Sequence, residues 1–148
     1  MYFSSFCFLI PILLLNLPPY IAVSIIGLTI SSFTYHNVSN KITKFIDYAN
    51  IINLCSNVYF ENYYYSFLFV ILYFLEFRTL QTHNVKNIIY FLCYSKYCAY
   101  RIVNLFFFLS VFVYIIHVLR KEFTITQRWL WHFGQAMYIY YSLSTQYK

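Results

Sequence analysis

The sequence predicts an all-α fold: a polytopic membrane helix bundle of about seven short transmembrane helices, forming a single domain over residues 1–148. Three observations predict it. The chain is 61% hydrophobic and only 9% charged, whereas a soluble domain carries roughly 45–50% apolar and about 25% charged residues. That leaves too few polar groups to cover a globular surface. Apolar runs recur at near-regular intervals, and the connections between them are very short. The ten Lys and Arg are scattered between those runs, the arrangement expected of membrane loops.

The segments follow in order. The first covers roughly Tyr2–Leu17 and stops at Pro18-Pro19. It lacks a basic leader and a small-residue cleavage site, so it reads as a helix rather than a signal peptide. The second, Pro19–His36, begins with a proline suited to a first helical turn. The third, Ile42–Tyr59, is more polar, with Asp47, Asn50, Asn53 and Asn57. The fourth is Tyr63–Phe77, and the fifth, about Asn87–Tyr100, has the weakest pattern. The sixth, Ile102–Leu119, is the cleanest, and the seventh is Arg128–Ser144. A span needs about 20 residues, with a range of about 17–25. Several of these sit at or below that limit, which suits a thin bilayer such as that of the endoplasmic reticulum or an adjoining Golgi membrane.

Seven antiparallel spans place the basic residues unevenly. Lys41, Lys44, Arg78, Lys86, Arg120, Lys121 and Arg128 share the N-terminal face, while Lys96, Arg101 and Lys148 lie opposite. The positive-inside rule puts the N-terminus in the cytoplasm. The sequon Asn37-Val38-Ser39 then lies on the cytoplasmic side and is expected to be unmodified. The longest basic run is Arg120-Lys121, so the net charge of +6 does not form the clustered patch that nucleic-acid binding needs. Cys7, Cys55, Cys93 and Cys98 show neither CxxC nor zinc-finger spacing. They read as small apolar side chains.

Ionisable residues within apolar spans are the functional signal in such a chain. Ser32 and His36 are i,i+4 on one helix face, Asp47 and Asn50 are i,i+3, and Arg128, His132 and Gln135 follow i, i+4, i+7. The end of segment 2 and the starts of segments 3 and 7 all fall at one membrane face. Two imidazoles and a carboxylate meeting there suit a metal ion. A catalytic zinc takes three protein ligands and activates a water.

Ser32-Phe33-Thr34-Tyr35-His36, a short loop and Asp47-Tyr48 resemble the second and third helices of the CREST superfamily. That group contains the alkaline ceramidases, the progestin/adiponectin receptors and myomaker-like proteins. The last segment, Arg128-Trp129-Leu130-Trp131-His132, is similar to the superfamily's His-x-x-Trp-His, with Arg128 where the first His belongs. The resemblance implies a ceramidase-like membrane hydrolase of a lipid amide or ester. It implies His36 and His132 as zinc ligands, Asp47 on the zinc water and Ser32 beside the oxyanion. Arg128 and Trp131 are then candidates to contact the lipid. With Arg128 in that position, three outcomes stay open. Asp47 completes the ligand set, His117 swings in, or the metal is lost and Arg128 holds a lipid phosphate. The alternatives to a hydrolase are a non-enzymatic lipid sensor or membrane-remodelling relative and a small structural or pore-forming membrane protein. His83 reads as a solvated loop residue, Glu61 as a loop residue, and Glu76 with Arg78 as a local pair or snorkelling charges.

Overall fold

The structure, a computed structural model, describes residues 2–122 and 124–147; Lys148, counted above on the face away from the N-terminus, lies outside them. The described residues are helical throughout, with short connections and no strand. The N-terminal stretch departs from the single helix expected. It is a 3₁₀ segment, Ser4–Leu9, that runs into a five-residue helix α1, Ile10–Leu14. Pro11 sits at the start of α1, Leu15 is extended, and Pro18-Pro19 follows. Proline supplies no N–H and restricts the residue before it, so no long helix propagates here. This strap is too short to cross a bilayer.

Six longer helices follow: α2 Pro19–Asn37, α3 Lys41–Phe60, α4 Tyr64–Leu80, α5 Asn84–Tyr97, α6 Arg101–Arg120 and α7 Ile125–Ser144. Local chemistry fixes their ends. Asn40 caps α3 by accepting from the N–H groups of Ile42 and Thr43, both at 2.9 Å, while Thr43 Oγ1 accepts from the Asn40 N–H. Thr124 and Gln127 build the same reciprocal box at α7. Helices α3, α4 and α6 end on Glu61, Gln81 and Lys121 in the left-handed region, with φ of 56°, 54° and 56°. That conformation turns the chain sharply.

Two charges do more than their sequence neighbourhood suggests. The Glu76 carboxylate, expected to pair locally with Arg78 or to snorkel, accepts from Thr82 Oγ1 and from the Asn84 and Val85 N–H groups. It therefore caps the start of α5 from α4, where free N–H groups and the helix dipole favour an anion. At the other end of the bundle Lys96 on α5 donates to the Val58 and Tyr59 carbonyls and pairs with Glu61 at 2.9 Å. A cation there satisfies the open carbonyls that end α3.

Helix α2 packs on α3, α3 on α4 and α5, and α6 on α7, while the strap lies between α2 and α7. Glycine brings the tightest pairs together. A Cβ on Gly27 would come within 2.7 Å of Asn50 Oδ1 of α3, and one on Gly134 within 2.7 Å of Ser110 Oγ of α6. Buried side chains such as Phe8, Ile25, Leu54, Ile89, Phe107 and Tyr138 form one continuous core. Much of the remaining surface is also apolar. Phe67, Ile71 and Phe74 on α4 and Leu105, Phe108, Phe112 and Leu119 on α6 are exposed, Leu119 to 77%. Among the described residues only α6 is both long and apolar enough to cross a membrane. Helix α4 has 17 residues and α5 has 14.

Candidate functional site

One turn of α2 presents Ser31, Ser32, Tyr35 and His36; one turn of α7 presents Arg128 and His132. The i,i+4 spacing turns Ser32 with His36, and Arg128 with His132, toward a common seam. There the two imidazoles meet. His36 Nε2 lies 3.1 Å from His132 Nε2, with the ring planes at 72°. Ser32 Oγ is 3.3 Å from the same His132 Nε2. Arg128 Nη1 is 3.5 Å from His36 Nδ1, and its guanidinium lies 3.9 Å from the centre of the Tyr2 ring. His132 is 1% exposed.

The strap completes this cluster. Ser4 Oγ is 2.6 Å from His132 Nδ1 and Ser5 Oγ is 3.1 Å from Ser32 Oγ. Asn37, at the end of α2, accepts from the Tyr2 N–H at 2.9 Å and donates to the Tyr2 carbonyl at 3.2 Å. Ser4 and Ser5 escape sequence reasoning because they read as part of a lipid-facing helix. Two adjacent hydroxyls inside an apolar run were the available signal. In the structure they are the internal partners of the histidine pair.

Asp47 behaves differently from its expected role beside the imidazoles. It is buried, and its carboxylate accepts from Ser31 Oγ at 3.2 Å, the neighbour of the serine that reaches His132. Asn50 Oδ1 sits over Gly27, so this side chain joins α3 to α2. Trp131 packs on Tyr114 of α6 with ring centres 5.5 Å apart. The His117 ring also lies beside Tyr114. His83, expected to be solvated, instead packs against Tyr48 and Tyr73 and contacts the Tyr73 hydroxyl at 2.9 Å.

The donor set does not fit a catalytic zinc. Two nitrogens face each other, but among the described residues no group of three His, Cys, Asp or Glu side chains gathers as an ion of this kind needs. Beside the pair, at His36 Nδ1, stands a guanidinium, which carries only N–H donors and a permanent charge. Compared with known protein families, curated proteins and solved structures, the chain matches none.

Proposed function

We propose that the chain is a multi-pass membrane protein, a CREST-like bundle without hydrolytic chemistry, whose basic end holds an anionic lipid headgroup. The observation that carries this reading is the closed polar cluster at one end of an apolar-surfaced bundle. Ser4, Ser5, Ser32, His36, His132 and Arg128 contact one another there. A hydrolase needs an activated water and an open path to it; this cluster spends its donors and acceptors internally. The exposed aliphatic and aromatic side chains of α4 and α6 are suited to lipid tails. Contiguous exposed apolar side chains of this kind mark a membrane or protein contact surface. Lys41, Lys44, Arg78, Lys86, Arg120, Lys121 and Arg128 all fall at the end where α2, α4 and α6 finish. Each such cation near an anionic leaflet is worth about 1 kcal/mol. That asymmetry supports an orientation with the N-terminus on the cytoplasmic side.

A groove between α2 and α3, lined by Ile30, Ser31, Thr34 and Ile46, offers a lateral seat for part of an acyl chain. Native mass spectrometry of the detergent-purified protein tests the reading. Phosphatidylserine adducts should exceed phosphatidylcholine adducts, and Arg120→Gln combined with Lys121→Gln should reduce that preference. Equal retention of both lipids would overturn it.

The ceramidase-like reading has one observation in its favour. The 3.1 Å between the Nε2 atoms is close to the separation of about 3.3 Å that two tetrahedral zinc ligands adopt. Release of fatty acid from ceramide by the purified protein, lost in His36→Ala, would establish that reading in place of the first.

A further inference from the structure

We infer that the Arg128 guanidinium, by facing His36 Nδ1, locks the two histidine rings in opposite tautomers and thereby closes the pair to a metal ion. This goes beyond the lipid-binding reading and does not rest on it. An arginine side chain can only donate, and a neutral imidazole carries one N–H and one lone pair. Arg128 Nη1 faces His36 Nδ1 at 3.5 Å, so Nδ1 must present its lone pair. The His36 hydrogen is therefore on Nε2, aimed at His132 Nε2 at 3.1 Å. That atom's single lone pair then accepts, and the Ser32 hydroxyl, 3.3 Å from it, has Ser5 Oγ at 3.1 Å as its acceptor. The His132 hydrogen is left on Nδ1, where it donates to Ser4 Oγ at 2.6 Å. Every donor in this chain has an acceptor. Polarity runs one way, from the guanidinium through both rings to the strap.

The opposite assignment fails at Arg128. Binding a metal through both Nε2 atoms requires lone pairs on both, which moves the His36 hydrogen to Nδ1 and points it at a guanidinium that also donates. The residue that supplies positive charge to the pair is thus the one that closes it to zinc. Tyr2 keeps the guanidinium in place by a cation–π contact, with its ring centre 3.9 Å away. Arg128 and His132 share one face of α7 at i,i+4, so replacing the guanidinium removes the donor that holds the His36 lone pair on Nδ1 and frees the facing Nε2 atoms.

The experiment combines ring ¹⁵N spectra with zinc binding. In ¹⁵N-histidine-labelled full-length protein in detergent micelles, His36 should appear as the Nε2–H form and His132 as the Nδ1–H form, with assignments made from His36→Gln and His132→Gln. Arg128→Lys, which keeps a donor-only cation, should preserve both tautomers. In equilibrium dialysis the native chain should retain below about 0.1 equivalent of zinc and Arg128→His about one equivalent. Arg128→His combined with His36→Ala should fall back to background. Stoichiometric zinc on the native chain overturns the inference. So does finding both rings in one tautomer, or an Arg128→His protein that melts normally yet binds no zinc. Should Arg128→His fail to fold, the native-chain spectra and dialysis decide alone.

Discussion

Helix α2 carries a polar knot at each end, and the two are built differently. Near its start, Ser24 Oγ accepts from the Asn53 and Asn57 amides at 3.0 and 2.7 Å and donates to the Tyr20 carbonyl. That knot joins helices adjacent in sequence and contains no ionisable group. Near its end, Ser32 and His36 join α7 across 92 to 100 positions of sequence and Ser32 joins the strap across 27, through two imidazoles, a guanidinium and hydroxyls. In a bundle with few buried charges both serve as interhelical glue. The amide knot needs only neighbours that fold early. The histidine knot needs the first and last elements to arrive together, and its hydrogen bonds depend on which nitrogen holds the proton.

The comparison can be broken from either side. The largest effect is expected from His132→Ala, which empties a buried site and strands Ser4, Ser32 and His36. A loss of about 3 kcal/mol is expected in reversible unfolding in mixed micelles. If this variant melts like the native chain, the histidine knot holds nothing. Ser24→Ala strands the buried Asn57 amide and the half-buried Asn53 amide and should cost about 1–3 kcal/mol by the same measurement. Double-mutant cycles then sharpen the contrast. Ser4→Ala with His132→Ala should be strongly non-additive, because both remove one contact, whereas Ser4→Ala with Ser24→Ala should add within about 0.5 kcal/mol. Removing the α3 cap with Asn40→Ala, remote from both knots, is expected to cost about 1 kcal/mol and to leave zinc and lipid binding unchanged.

The smallest effect is one of pH. His83, in the turn between α4 and α5, is held below its ordinary value of 6.5, first by burial and then by the charges of Lys44 and Lys86. The fold favours the neutral ring there, so its contribution is present above about pH 6.5 and is lost as pH falls below it. The native melting temperature should therefore drop more between pH 7.5 and 5.5 than that of His83→Gln. Identical slopes would show that the ring titrates freely.

Helix order was legible in the sequence because apolar period and loop length survive folding unchanged. The meeting of His36, His132, Ser32 and Arg128 was legible too. Spacing sets a helix face, and alternating direction sets which ends coincide. The partner of Asp47 was not, since Ser31 and Ser32 differ by only one step, about 100° around α2, and spacing cannot choose between them. Nor was the strap. Whether an apolar run with Pro11 becomes a spanning helix or a buried 3₁₀ turn depends on what α2 and α7 offer it, and that is tertiary information. Glu76 lay beyond reach for a similar reason. Its partners are backbone groups of the next helix, which no side-chain pattern announces.

The clasp between Asn37 and Tyr2 has a consequence for biosynthesis. The Asn37 amide nitrogen, the atom to which an oligosaccharide would be attached, is already donating to the Tyr2 and Phe33 carbonyls. A sugar there would remove one of its hydrogens and put a branched hydrophilic mass against the terminal residues beside Arg128. Carbohydrate on this asparagine would cost at least one of the two contacts its amide nitrogen makes, with Tyr2 and Phe33, and so would loosen the seat of the first residues. Any glycosylated fraction would mark chains whose last helix had not yet received the first residues when the transferase met them.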